Sequence, residues 1–316
     1  MLINLGKKWL NKICLNKTVK YVEYLMSNMF DVILPLYKVK PKYLKQCLNS
    51  ISYSVQKKHF DGDYNIIIID KTPLDWEYYD ECLNLIVSYG EMKYYRQEGI
   101  GVSNARNVGC SIGNNPYICF IDGDDFWYDS HLYEVSQEIK KSHSDIVIWW
   151  SAMDLHCKSA YDSTKTNHFV INHEEKFEHW ISGFHYYYLT KTPICTSTVC
   201  LKRDRFEETT GFLEDYAIGE DMEMWTRMVG KPTNNSKVYN SQQIPVITGY
   251  KNIHEDNTTE GGTQSYLMET SNRKEYLEEQ LENVMKLYEI PTMDDRPSHI
   301  DELEWQEMID SNRIVL

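Results

Sequence analysis

Four consecutive isoleucines, Ile66 to Ile69, stand between Tyr64-Asn65 and Asp70. A strand with one solvated face alternates apolar and polar residues. An unbroken β-branched run instead requires burial on both faces, as in a parallel sheet covered by helices on each side. The surrounding sequence agrees. Phe30 to Tyr37 reads as a strand, Met92 to Arg96 as a shorter one, and Tyr117 to Ile121 as a fourth. Segments of helical period lie between them. Pro41 suits a first helical turn, and Leu44, Leu48, Ile51 and Val55 give the following helix one apolar face. Asp75 is placed to cap a second helix, with Tyr79, Leu83, Ile86 and Val87 on its inner side. Val102, Ala105, Val108 and Ile112 mark a third. Strand and helix alternate four times before residue 130, which predicts a doubly wound, Rossmann-like, mostly parallel sheet with helices on both faces. Asp145 to Trp150 adds a strand. Residues 151–194 have no clear period and read as loops and short helices over the sheet's ligand edge. Ile194 to Leu201 reads as a strand, Arg203 to Glu208 as a short helix, Gly219 to Arg227 as the opening of another, and Ile244 to Tyr250 as a strand. Tyr276 to Leu287 is amphipathic and helical in period, and the acidic tail after Pro291 reads as one more helix.

Asp122-Gly123-Asp124-Asp125 follows the fourth strand. Three carboxylates this close repel one another until a positive charge joins them. Oxygen-only ligands suit a hard cation such as Mg2+ or Mn2+, and open α/β sheets bind ligands at the carboxyl ends of their strands. An acidic surface turn is the other reading, because Asp-Gly and Asp-Asp are common in turns. Glu220-Asp221 opens a helix, where the macrodipole favours acids by a few tenths to about 1 kcal/mol, so a structural role is open there as well. Gly99 and Gly101 lack a third glycine and do not follow the first strand, which excludes a dinucleotide fingerprint.

With 33 basic and 47 acidic residues the net charge is −14. Such a chain repels nucleic-acid phosphates, and no basic cluster interleaved with aromatics offsets this, so nucleic acid is not an expected partner. The eight cysteines show neither paired CxxC nor zinc spacing and read as free thiols of a reducing compartment. No apolar run is long enough to span a bilayer, and a cytoplasmic location is predicted. Residues 1–28 form a basic helical extension: Lys7, Lys8, Lys12, Lys17 and Lys20 are opposed by Glu23, with Leu2, Leu5, Trp9 and Ile13 at helical spacing. A helix packed on the protein and a helix in peripheral contact with a membrane surface are both open. The lysines interrupt the apolar stretch, unlike a signal peptide.

Taken in order, these segments resemble the family 2 glycosyltransferases of the GT-A fold. Leu34-Pro35-Leu36-Tyr37 is similar to that family's opening strand, and Asp70 to Asp75 has the length of its Asp-Asp-Gly-Ser-Thr-Asp loop. Ser103-Asn104-Ala105-Arg106-Asn107 resembles its Ala-Arg-Asn helix start, and Phe120 to Asp125 its metal motif. Gly211-Phe212-Leu213-Glu214 with Gly219-Glu220-Asp221 resembles its Gly-Phe-x-Glu and Glu-Asp segment, and Tyr250-Lys251-x-x-His254 its closing stretch. Lys38 stands where the family usually has Asn, and Thr72-Pro73 where it has Gly-Ser. The resemblance implies residues 29–150 as a nucleotide-sugar-binding half, 151–262 as an acceptor-binding, catalytic half, and 263–316 as a C-terminal helical segment. It implies inverting, non-processive transfer of a sugar from a nucleotide-diphosphate donor, a UDP-sugar, to a carbohydrate or glycoconjugate hydroxyl, with Mn2+ or Mg2+. In that reading Asp221 is the general base and Glu220 orients the site or caps the helix. Pro35, Leu36, Tyr37, Asp70, Asp122 and Gly123 contact the nucleotide sugar. Arg106 meets nucleotide phosphate or holds an acidic loop. Asp124 carries the metal, Asp125 orders the turn, and His254 is a further metal or phosphate contact. Trp127, Trp180, Trp225 and Tyr186-Tyr187-Tyr188 are candidates for stacking the acceptor or for core packing. A sugar-phosphate nucleotidyltransferase and a catalytically inactive carbohydrate-binding or scaffold module are the alternatives.

Overall fold

The isoleucine run forms β2 (Asp63–Asp70), and all four isoleucines are fully buried. Each contributes about 1.5–3 kcal/mol of burial, which fixes β2 inside the sheet. The structure is a computed structural model and describes residues 28–158, 166–168, 194–215, 220–229 and 239–252. β1 (Asn28–Leu36) pairs parallel with β2 on one side and with β4 (Tyr117–Phe120) on the other, and β3 (Met92–Arg96) pairs parallel with β2. Beyond β4 the pairing becomes mixed. β8 (Cys200–Lys202) runs antiparallel between β4 and β6 (Ile146–Lys158), and β9 (Asn240–Asn252) runs parallel to β6. β5 (Phe126–Trp127) closes that edge antiparallel to β9, and β7 (Thr166–His168) is antiparallel to β6.

Helices cover both faces. On one, Leu44, Cys47, Leu48 and Ile51 of α1 (Pro41–Ile51), Cys82 and Ile86 of α3 (Tyr79–Tyr89), and Leu132 and Val135 of α5 (His131–Lys141) pack with Val32, Leu34, Ile66 and Ile68. On the other, Ala105 and Cys110 of α4 (Gly101–Ile112), Phe206 of α6 (Arg203–Glu208), and Met224 and Trp225 of α7 (Glu220–Val229) pack with Ile33, Ile67, Ile69, Ile118 and Phe120. Alternate residues of one strand therefore serve two cores, the structural meaning of the unalternated sequence. The described cysteines Cys47, Cys82, Cys110, Cys119, Cys195 and Cys200 are free thiols. No helix among the described residues is long and apolar enough to cross a membrane.

Several local expectations are corrected. Ser52 adopts extended backbone (ψ 154°) and ends α1. α2 (Tyr53–Gln56) then buries Gln56, not Val55, and the Gln56 amide donates to Ser50 O and Tyr128 O. Asp75 caps nothing: residues 73–79 form successive turns, and α3 begins after Tyr78. Its inner face is Cys82 and Ile86, and Val87 is 68% exposed. The strand expected at 145–150 continues to Lys158, into a stretch expected to be loop. The strand expected from Ile194 is a 3-10 turn at Thr196–Thr198 leading into β8. Residues 1–27 and 253–316, with the terminal helices expected there, lie outside the described residues.

Candidate active site

The parallel register aligns the strand ends. Leu36 lies opposite Asp70, and Asp70 opposite Arg96. Ile121 N donates to Ile33 O at 3.2 Å, so β4 runs out on the same edge, and the chain then turns with Asp125 N donating to Asp122 O at 3.1 Å. Gly123 sits inside this turn, where an added Cβ would lie 3.0 Å from Val39 Cγ2 and 3.1 Å from Leu36 Cδ1. A side chain there would force the Val39 and Leu36 side chains to give by a few tenths of an ångström.

The three aspartates have different surroundings. Asp125 is fully buried. Ser197 Oγ donates to its Oδ2 at 2.6 Å, Asn252 N donates to its Oδ1 at 3.2 Å, and Lys251 Nζ lies 3.7 Å from Oδ2. Burial pushes its carboxyl up to about 7, with Lys251 opposing the rise and Asp124 and Asp122 adding to it. Asp125 in turn holds the Lys251 ammonium above its ordinary range. Asp122 is half-buried: its backbone N donates to Ser197 Oγ at 3.1 Å, and its Oδ1 accepts from Arg106 Nη2 at 3.3 Å. Asp124 is half-buried on the turn, and its carbonyl accepts from the Asn252 amide.

Arg106 joins this turn to α7. Its guanidinium is buried, with Nη1 donating to Glu220 Oε1 at 2.8 Å and Nη2 to Asp122, and it lies over the Phe212 ring. Its pKa is raised: burial acts against the charge, and Asp122, Glu220 and Asp221 outweigh that penalty. Burial and the neighbouring Asp221 raise the Glu220 carboxyl, with Arg106 opposing. The same helix α4 fixes the preceding turn. Asn107 Nδ2 donates to Phe212 O and its Oδ1 accepts from Phe212 N, both at 2.8 Å, and Asn104 Nδ2 donates to Glu214 Oε1 at 3.1 Å. Gly211 permits that turn through φ +81°, the left-handed region in which glycine is unstrained. Asp221, the next residue of α7, accepts from Thr196 Oγ1 at Oδ2, 2.9 Å.

The strand-end residues form a second group. Asp70 is buried and accepts from Thr72 N, Tyr94 OH and Arg96 Nη1. Leu36, Asp70, Thr72, Tyr79 and Tyr94 border one small open depression. Pro35 is half-buried beside them, and Tyr37 is 51% exposed with Lys38 Nζ over its ring. Lys38 takes φ +52°, and its N donates to Thr72 Oγ1 at 3.0 Å. The two sequence departures at Lys38 and Thr72 thus meet in space, the threonine hydroxyl holding a backbone conformation that Asn would adopt more easily.

The expected residues Asp122, Gly123, Asp124, Arg106, Glu220 and Asp221 therefore fall on one edge, as do Pro35, Leu36, Tyr37 and Asp70. Trp127 and Trp225 are core residues: Trp127 stacks on His131 at 3.9 Å, and Trp225 packs edge-on to Phe212. His254, Trp180 and Tyr186 to Tyr188 lie outside the described residues. Thr196 and Ser197 carry no motif that assigned them to the site, and Lys251 was matched only as part of the closing Tyr250-Lys251-x-x-His254 stretch.

Residues 31–205, more than half of the 316-residue chain, match the family described as "Glycosyl transferase family 2". The chain belongs to this family. Among its curated relatives, this family 2 chain is 27% identical over 127 residues to the "Uncharacterized glycosyltransferase EpsJ" of Bacillus subtilis, covering 39% of this chain and 33% of EpsJ. It is 25% identical over 207 residues to the "Amylovoran biosynthesis glycosyltransferase AmsB" of Erwinia amylovora, covering 59% of this chain and 61% of AmsB. These matches span less than two thirds of either relative. Among solved structures, S. aureus TarS 1-349 in complex with UDP-GlcNAc superposes with a TM-score of 0.56 at 16% identity, covering 90% of this chain and 71% of that one. The architecture is the GT-A fold of the family.

Proposed function

We propose that this chain is a metal-dependent, inverting glycosyltransferase that moves a sugar from a nucleotide-diphosphate donor, a UDP-sugar, to an acceptor hydroxyl. The observation that carries this reading is Arg106, which bridges Asp122 at 3.3 Å and Glu220 at 2.8 Å. It brings the acidic turn and the start of α7 into one site although they are about a hundred residues apart. Residues 29–150 hold the nucleotide sugar in this reading, and 151–262 hold the acceptor and supply the base. TarS, which shares the fold, carries UDP-GlcNAc or UDP in its complexes.

The acidic turn offers oxygen donors only, which fits Mn2+ or Mg2+. Asp124 is the residue that would hold it, at the position that resembles the family's metal motif, while the Asp125 oxygens face Ser197, Asn252 and Lys251. Among the described residues no three His, Cys, Asp or Glu side chains converge as a metal cage, and His254, outside the described residues, is a further candidate to hold the cation. When bound, the cation neutralises charge on the leaving diphosphate as a Lewis acid. Pro35, Leu36, Tyr37, Asp70 and Asp122 contact base and ribose, and Gly123 contacts the nucleotide sugar. The acceptor oxygen attacks the anomeric carbon in line, the bond to the diphosphate breaks with its electron pair leaving on oxygen, and Asp221 takes the acceptor's proton. Glu220, neutralised by Arg106, orients the site.

Base catalysis is worth about 10²–10⁴-fold. Asp221→Asn is expected to lower kcat by that range while UDP affinity, measured by calorimetry, stays unchanged. A near-normal kcat, or loss of UDP binding in its place, would remove Asp221 as the base.

A further inference from the structure

We propose that Thr196 is a positioning residue for Asp221, holding its carboxylate in the orientation that receives the acceptor's proton. The inference deepens the reading of Asp221 as the base and rests on it. Thr196 is 5% exposed, and its Oγ1 donates to Asp221 Oδ2 at 2.9 Å. A carboxylate oxygen accepts hydrogen bonds, and a threonine hydroxyl has one proton to give, so the contact fixes the direction in which the Asp221 carboxylate points. Threonine is also stiff about χ1, so its hydroxyl direction is set by the backbone that carries it.

That backbone is anchored to the other half of the site. The neighbouring Ser197 is fully buried; it donates to Asp125 Oδ2 at 2.6 Å and accepts from Asp122 N at 3.1 Å. The Trp127 indole donates to Ser197 O, and Thr198 Oγ1 donates to Ser151 O at 2.8 Å. Val199 N closes the 3-10 turn on Thr196 O at 3.0 Å. One three-residue turn therefore touches both the acidic turn that follows β4 and the carboxylate at the start of α7. Arg106 ties the same two segments through Glu220. Glu220 and Asp221 are adjacent acids that repel each other, and each has its own donor: Arg106 for Glu220, Thr196 for Asp221.

The test compares Thr196→Val, which keeps the shape and removes the donor, with Thr196→Ser, which keeps the donor. Turnover is read as UDP release from whichever of UDP-glucose, UDP-galactose and UDP-GlcNAc the wild-type chain consumes with Mn2+. Thr196→Val is expected to lower kcat by about 10- to 100-fold, the scale of a misplaced reacting group, with UDP affinity and thermal midpoint close to wild type. Thr196→Ser recovers most of the rate. In an Asp221→Asn background Thr196→Val causes no further loss, because residues acting as a unit are not additive. Should valine unfold the turn, Thr196→Ala against Thr196→Ser makes the same comparison. A wild-type kcat in Thr196→Val, a loss that multiplies with Asp221→Asn, or a loss confined to UDP affinity overturns the proposal. Asp221→Asn with normal kcat overturns the base itself, whereas an inactive Asp221→Asn beside an active Thr196→Val overturns the positioning role alone.

Discussion

The two halves of the sheet reach the same edge by different means. In β1 to β4 every pairing is parallel, and the ligand edge follows from register, with Leu36, Asp70 and Arg96 in one row. In β5, β6, β8 and β9 the pairings are mixed and the register shifts within β6·β9. The second half meets the edge through single side chains: Ser197 and Lys251 on Asp125, Asn252 on the turn, Thr196 on Asp221. In the proposed reading the first edge binds the nucleotide and the second carries the base, and the expected outcome is that an edge built by register tolerates the loss of a polar contact better than one built by a few long-range ties.

Three measurements press on that contrast. The largest effect is expected at Asp125. Asp125→Ala removes a fully buried carboxylate, leaves the Ser197 hydroxyl and the Asn252 N–H without their acceptor and takes the nearest carboxylate from Lys251, a change worth about 2–4 kcal/mol of stability in urea denaturation. Unchanged stability would mean that β9 is held to the acidic turn by other contacts. Next is Asn107, which ties α4 to the Gly211–Glu214 turn. Asn107→Ala leaves the Phe212 backbone N and O unpaired and should cost about 1–3 kcal/mol, with kcat falling further than donor affinity because α7 loses its lead-in. An equal fall in both would place the turn at the donor instead.

The smallest effect is a pH dependence. His131 on α5 is buried, accepts or donates at Nδ1 with Thr248 Oγ1 of β9 at 2.7 Å, and stacks on Trp127. Among the described residues its Nε2 has no partner, and burial lowers its pKa from 6.5 to about 3. The folded pKa lies below the unfolded one, so His131 favours folding above pH 6.5, and that contribution is lost as pH falls toward 3. At pH 5.5 the loss is about 1 kcal/mol. The difference in stability between pH 7.5 and 5.5 should shrink by that amount in His131→Gln, and an identical pH response in both chains would show that His131 titrates normally.

The same contrast explains what was legible in the sequence. Ile66 to Ile69 announce β2 because burial on both faces leaves a continuous apolar run, and the family motifs fell where that sheet puts them. β9 reads Asn240-Ser-Gln-Gln before Ile244 and is half-buried over much of its length, so its first residues carry no strand pattern. β6 likewise runs on through Asp154 and His156 after its apolar start. Asp75 had the chemistry of a cap, but the turns after Pro73 placed the cap position at Tyr78, three residues beyond it. Arg106 was open between phosphate and an acidic loop, and the structure sets it on Asp122 and Glu220. Thr196 and Ser197 could not be found from sequence, since a hydrogen bond across 25 or 72 residues leaves no local period.

The account stands most directly on the acidic turn acting as a divalent-cation site for a nucleoside diphosphate. Calorimetric titration of UDP into the wild-type chain and into Asp124→Ala, each with and without Mn2+, tests it. Mn2+ should tighten UDP binding to the wild type by about tenfold or more, a gain of about 1.4 kcal/mol, and should leave Asp124→Ala unaffected. Equal UDP affinity with and without Mn2+ in the wild type, or the same Mn2+ enhancement in Asp124→Ala, would contradict it.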